Sequence, residues 1–288
     1  MSNLPSKITI KEYISAPAVQ KKMNEMLVDK DTIRNFTTSL ISISGQDALL
    51  AEAEPRSLFN AALEAASMNL PISKSLGFAH IIGYKNNKKG GVVEAQFQMG
   101  ARGFKELAQR TGRYTIINET EVKEGEVKSR NRLTGEVEFA FIEDDVERGN
   151  AKTIGYVSFF RLDNGYESTL YWTNEQIEAH ARKYSQSFKS GYGPWKDNFD
   201  AMALKTVMKR NIKNNGPLDI NLQRALDVDQ AIIRDDKIDY IDGNDLLANE
   251  EATDVEEDAI LAAQEEAAEL EKNTDKTTGE IKDTKKGK

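Results

Sequence analysis

A chain of 288 residues with no cysteine, and with 39 Lys and Arg against 47 Asp and Glu for a net charge of −8, cannot build a disulfide framework, a thiolate zinc site or a cysteine nucleophile. Its two histidines, His80 and His180, rule out a histidine-rich metal centre and confine any serine triad to one of those two rings. The N-terminal stretch has no basic segment followed by an apolar core, and no run of about eighteen apolar residues occurs, which predicts a cytoplasmic protein without a membrane span.

Apolar residues at mixed three- and four-residue spacings predict two short helices over 16–29 and 31–44. In PRSLFNAALEAASMNL, Pro55 suits a first helical turn and Leu58, Ala62 and Ala65 form an apolar stripe. GFAHIIGY (77–84) and VVEAQFQM (92–99) read as a hairpin whose turn, KNNKKGG, is basic. Lys74, Lys85, Lys88 and Lys89 crowd that hairpin, where a solubilising turn is the simpler role. ARGFKELAQR follows as a helix that places Phe104, Leu107 and Ala108 on one side and Arg102, Lys105 and Gln109 on the other, with Gly112 as its stop.

RYTIINETEV, EVEFAFIE, TIGYVSFFRL and YESTLYW then read as strands separated by turns such as LTGE and LDNG. Helices return at TNEQIEAHARKYS and PWKDNFDAMALKTVMKRNIKN, with a shorter one near LDINLQRALDVDQAI. The class predicted is α+β: an antiparallel sheet flanked by N-terminal helices and a long basic C-terminal helix, followed by an acidic tail.

Charge is unevenly spread. Residues 235–271 hold fifteen acids and one lysine, the last seventeen residues carry +3, and residues 1–234 are therefore +3 overall. Two domains are expected: a body, 1–234, and a tail, 235–288, that is disordered or partly helical because like charges repel and apolar residues are few. The tail is either a solubilising extension or a mimic of DNA that competes for a basic groove.

Within the body, Lys74–Tyr114 and Ala181–Lys213 each carry eight cations against two acids, and the intervening Thr115–His180 is −7. The two basic blocks are either one electropositive surface brought together by the fold or two separate solvated faces. On a helical wheel the segment from Pro194 to Asn214 places Ala201, Leu204, Met208 and Ile212 in one arc, the natural core face. A second arc begins with Trp195, Phe199, Met202 and Thr206 and ends with Lys209, Arg210 and Lys213. Rings beside cations suit single-stranded nucleic acid, since bases stack on aromatics while ammonium and guanidinium groups track phosphates. The alternative is that Trp195 and Phe199 belong to the core. The loop before this helix sets Lys183, Tyr184, Phe188, Lys189 and Tyr192 among Ser and Gly with no acid, a composition suited to base or partner contacts.

The runs AQFQMGARGFKELAQRTGRY (95–114) and YGPWKDNFDAMALKTVMKR (192–210) resemble the two signatures of the RecT family of phage recombinases, and AEPRSLFNAALEAASMNLPI with GFAHIIGY fits the family in order and spacing. The resemblance covers roughly residues 30–220. Its signature positions fall on Gln98, Gly100, Arg102, Gly103, Arg110, Gly112, Trp195, Met202, Lys205, Thr206 and Arg210. The resemblance implies an ATP-independent annealing protein that binds single-stranded DNA and the annealed duplex, assembles into homo-oligomeric rings or filaments, and works with a phage exonuclease, and with a host single-strand binding protein, inside a bacterial host.

Annealing requires two polyanions to be neutralised while base edges stay open, which calls for a long cationic groove in place of base-sized pockets. The residues expected to line it are Arg102, Lys105, Arg110 and Arg113 from the first block, and Lys183, Lys189, Lys196, Lys205, Lys209, Arg210 and Lys213 from the second. Tyr192, Trp195 and Phe199 are expected to stack on bases or shape the groove. No phosphate-binding G-x-x-x-x-G-K-[ST] loop is present, so no nucleotide cofactor, catalytic residue or metal is expected. Two other readings stand beside this one: a metal-dependent nuclease built on Glu119, Glu121, Glu138, Glu143, Asp144 and Asp145, and a non-catalytic replication or recombination scaffold.

Overall fold

The computed structural model describes residues 8–240 except 28, 74, 87, 88, 192, 230, 235 and 236, and describes only the backbone at 186, 190, 234 and 237–240. It opens with α1 (Ile10–Ser15), α2 (Pro17–Met26), α3 (Lys30–Gln46), α4 (Ala48–Glu52) and α5 (Pro55–Ser67). The hairpin β1 (Ala79–Asn86) and β2 (Val92–Met99) leads into α6 (Ala101–Arg110), β3 (Tyr114–Lys123), β4 (Val127–Arg130), β5 (Val137–Phe139), α7 (Asp145–Asn150), β6 (Thr153–Leu162) and β7 (Glu167–Thr173). The chain continues through α8 (Asn174–Tyr184), α9 (Gln186–Ser190), α10 (Pro194–Asp197), α11 (Phe199–Asn215), α12 (Ile220–Val228), β8 (Ala231–Arg234) and β9 (Lys237–Tyr240). The architecture is α+β with antiparallel sheets.

Local chemistry sets the helix starts. Thr9 and Glu12 form a capping box, Asp29 and Asp47 accept first-turn N–H groups of α3 and α4, and Pro17 and Pro55 sit where no N–H is needed. The predicted stripe of α5 is buried, and so are Phe59, Ala61 and Leu63, because α5 packs on α1 and α3 as well as on β2 and β8. Its polar groups are also used: Ser57 Oγ accepts the Ala95 N–H at 2.9 Å and the Asn60 amide donates to the Ile233 carbonyl at 3.1 Å.

The strands form more than the single sheet expected. β1 and β2 pair from Ala79 opposite Met99 to Asn86 opposite Val92, and the sheet continues in the order β1-β2-β8-β9. A second sheet has the order β3-β6-β7, with Tyr156 opposite both Glu121 and Trp172, and β4-β5 is a separate ribbon. One face of the second sheet carries α11; the other packs Val122, Val157 and Tyr171 against Val127, Val137 and Phe139 of the ribbon.

One expectation is corrected at the C-terminal end of the body. The helix expected through DVDQAI stops at Val228, and Ala231–Arg234 turns back onto β2 as a strand, with Phe97 opposite Ala231. β9 then pairs with β8 inside the segment assigned to the tail. Four-residue strands give too short a pattern to be distinguished from helix by periodicity; tertiary pairing decides. Residues 241–288, which hold most of the expected tail, lie outside the described residues, as do Lys74 and Lys88 of the hairpin region.

The long helix expected over 194–214 is broken at Asn198, whose side chain accepts the Ala201 N–H at 3.2 Å and caps α11 while α10 ends. Asn favours such a cap because its short side chain satisfies an otherwise orphaned first-turn donor.

Candidate nucleic-acid interface

α6 is held against the segment before β1 by glycine. A Cβ on Gly100 would collide with the Gly77 carbonyl, and one on Gly103 with the Phe78 carbonyl; the Gly100 N–H donates to Phe78 O at 2.9 Å. Only residues without side chains permit that approach. It places Arg102 over the Phe78 ring, with its guanidinium 4.8 Å from the ring centroid and donating to the Leu76 carbonyl at 3.0 Å.

The other cations of this block also hold the body together. Lys105 pairs with Glu119 on β3 at 2.7 Å, and the second Glu119 oxygen is buried without a hydrogen-bond partner, so the ammonium compensates a carboxylate largely removed from water. Arg110 pairs with Glu106 and donates to the Met68 and Asn69 carbonyls at 2.8 and 3.1 Å. These close the C-terminal end of α5, where Asn69 takes φ 52° and where a cation is favoured by the carbonyl dipoles. Arg113 pairs with Asp163 at 3.2 Å. Arg102, Arg110 and Arg113 nonetheless keep exposed surface, and Lys105 is half-buried.

The second block differs from the wheel in two places. Lys209, expected on phosphate, is only 7 % exposed; its ammonium donates to Asp229 at 2.8 Å and stands 5.8 Å from the Phe104 centroid. Asp229 also accepts the Met99 N–H at 2.8 Å. Burial alone would raise the Asp229 carboxyl, but the Lys205 and Lys209 ammoniums, with hydrogen bonds from Lys209 and Met99, outweigh it and hold the group below the usual carboxylate range. Trp195 is 6 % exposed, set edge-on between Phe188 and Phe199 at 5.6 Å from each, in a core cluster with Tyr156, Ile177, Ala203 and Val207. The core alternative holds for this ring.

The core face of α11 is accordingly rotated from the one expected. Met208 and Ile212 are buried as predicted, but Ala201 is exposed and Leu204 half-buried, while Ala203, Val207 and Asn211 are buried. Phe199, Met202, Lys205, Thr206, Arg210 and Lys213 are half-buried, and Lys183, Lys189 and Lys196 are exposed. Tyr192 lies outside the described residues.

Two rings missed in the sequence, Trp172 and His180, join the expected Lys183, Tyr184 and Arg210 at this surface. The Arg210 guanidinium lies over Trp172 at 5.1 Å, Trp172 meets His180 at 5.3 Å, His180 meets Tyr184 at 4.6 Å, and Lys183 Nζ lies 5.0 Å from the Tyr184 centroid. Trp172 is the next-to-last residue of β7, while His180 and Tyr184 are one turn apart on α8, whose start is fixed by the Thr173–Gln176 capping box. The i, i+4 spacing of His180 and Tyr184 was a visible signal; the arrival of Trp172 and Arg210 from other elements was not.

The acids of the middle sheet are tied to local partners. Glu121 pairs with Lys123 and accepts from Thr153. Glu126 is fully buried; burial raises its carboxyl, but Arg148 and the Lys123 and Ile142 N–H groups reverse this and hold it below the usual range. Glu138 accepts from Ser129 and Asp144 caps α7. Among the described residues no group of three or more His, Asp or Glu is placed to hold a metal ion, and no helix is long and apolar enough to cross a membrane.

Comparison with known proteins adds a family to this geometry. A sequence profile described as RecT family matches residues 34–242. The chain is 38 % identical over 243 residues to the uncharacterized protein YqaK of Bacillus subtilis, covering 84 % of this chain and 80 % of that one. It is 26 % identical over 227 residues to Protein RecT of Escherichia coli, covering 76 % and 79 %.

Proposed function

The chain belongs to the RecT family, and from that premise we propose that it binds single-stranded DNA and anneals it to a complementary strand without ATP. Family membership supports a role in DNA annealing and recombination in general. The observation that carries the specific reading is the meeting of the two basic blocks: α6 and α11 pack together, with Lys209 of one block against Phe104 of the other. Sequence-distant cations are thereby gathered on neighbouring elements, as backbone neutralisation requires.

The phosphate-facing set is Arg102, Arg113, Lys183, Lys189, Lys196, Lys205, Arg210 and Lys213. Lys105, Arg110 and Lys209 act chiefly by fixing the elements that carry the others. Phe199, half-buried at the edge of the Trp195 cluster, shapes the surface. Homo-oligomerisation would repeat these contacts along a strand, and a phage exonuclease would supply the single strands, with host single-strand binding protein as the competitor to displace. The acidic segment 235–288 contributes a charge that opposes that of the body.

Mixing complementary oligonucleotides and following duplex formation by fluorescence tests the reading. Acceleration over spontaneous pairing, unchanged by ATP, is expected. With about four phosphates neutralised per protomer, a tenfold rise in salt lowers affinity roughly 600-fold. DNA binding without acceleration would favour a scaffold, and magnesium-dependent cutting of the strands would favour a nuclease.

A further inference from the structure

We infer that Trp172, His180 and Tyr184, bracketed by Arg210 and Lys183, form a base-stacking platform for single-stranded DNA. The inference deepens the annealing reading and rests on it. The expected stacking ring, Trp195, is enclosed by Phe188 and Phe199, whereas Trp172, His180 and Tyr184 are all half-buried. They succeed one another at 5.3 and 4.6 Å, tilted by 57° and 49°. A cation lies over each end of the row, at 5.1 Å on Trp172 and 5.0 Å on Tyr184.

Three backbone elements converge to build this row. The Trp172 position follows from its pairing with Tyr156 in the second sheet, and α8 is anchored by Ile177 and Ala181, which are buried on the core side. Arg210 is carried on α11, whose opposite face is buried. The platform is therefore set by rigid elements, which lowers the ordering cost of engaging a flexible strand.

The chemistry suits bases better than a protein partner. Rings accept any nucleobase on its π-face, and a base stacking on either end of the row displaces the cation now lying over that ring toward the adjoining phosphate. Stacking of this kind leaves Watson–Crick edges unengaged, which sequence-reading pockets would not. An annealing protein needs those edges open to the incoming complement.

The test compares oligo(dT) with an abasic strand of the same length, binding both to wild type, Trp172→Ala, Tyr184→Ala and Tyr184→Phe, with circular-dichroism melts as a control. The expected result is a loss of roughly 5- to 150-fold on oligo(dT) for each alanine variant, little change on the abasic strand, and near-wild-type affinity for Tyr184→Phe. Equal losses on the two strands, or no loss on oligo(dT), would overturn the platform while leaving phosphate binding intact. If wild type binds neither strand, the annealing reading itself falls. Because Trp172 and Trp195 are the only tryptophans, Trp195→Phe isolates Trp172 fluorescence, and quenching by oligo(dT) but not by the abasic strand is expected. Equal quenching by both strands, or by neither, would count against stacking on Trp172.

Discussion

The two basic stretches carry the same charge, eight cations against two acids each, yet the fold uses them differently. In the first, Lys105 and Arg110 join α6 to Glu119 and to the end of α5. In the second, Lys209 is buried in an ion pair, while Lys183 and Arg210 lie over rings at the surface. Local net charge thus measures the supply of cations; their geometry decides whether each one binds the protein or is placed to meet a polyanion.

The sharpest way to break this contrast is at Lys209. If it is structural, Lys209→Ala strands the Asp229 carboxylate in the interior and costs about 3–5 kcal/mol, read by urea unfolding. Weakened DNA binding with unchanged stability would return Lys209 to the phosphate-facing set. The same pair predicts a pH dependence. The folded Asp229 carboxyl titrates below its ordinary value, so its stabilisation is complete above the unfolded value of about 3.9 and is lost as pH falls through the folded one. The stability gap between wild type and Asp229→Asn should therefore close below about pH 4.

A smaller effect is expected at the glycines that seat α6. Gly103→Ala drives a methyl group into the Phe78 carbonyl and should cost about 1–3 kcal/mol by overpacking, seen as a lower thermal midpoint. An unchanged midpoint would mean that α6 can move away from the segment before β1 without penalty, and that Arg102 is not held in place.

The smallest stability effect belongs to the exposed cations. Lys189→Glu with Lys196→Glu should leave unfolding within about 0.5 kcal/mol of wild type and reduce the slope of log affinity against log salt by about 1.4, two contacts at 0.7 each. A slope equal to wild type would place both lysines away from the strand.

The annealing signatures, the β1-β2 hairpin, α6, β6 and most helix starts were legible because they depend on contacts within a few residues: caps, turn glycines and apolar spacing. Ala101–Arg110 and Thr153–Leu162 have the expected bounds. β8 and β9 were not legible, since strands of four residues acquire their identity from the partner they join. The wheel over 194–214 failed for a related reason: it assumed a continuous helix, and Asn198 resets the start.

By itself, then, the sequence determined most of the longer helices, where positive charge is concentrated and which family signatures the chain carries, because each is written in residues adjacent along the backbone. Tertiary structure alone decided that Trp195 is core while Trp172 joins a surface row, and that Lys209 meets Asp229 while Arg210 meets a ring. Lys209 and Arg210 are consecutive, but helical geometry turns successive side chains about 100° apart, so one faces the interior and the other the surface once α11 has docked on its sheet.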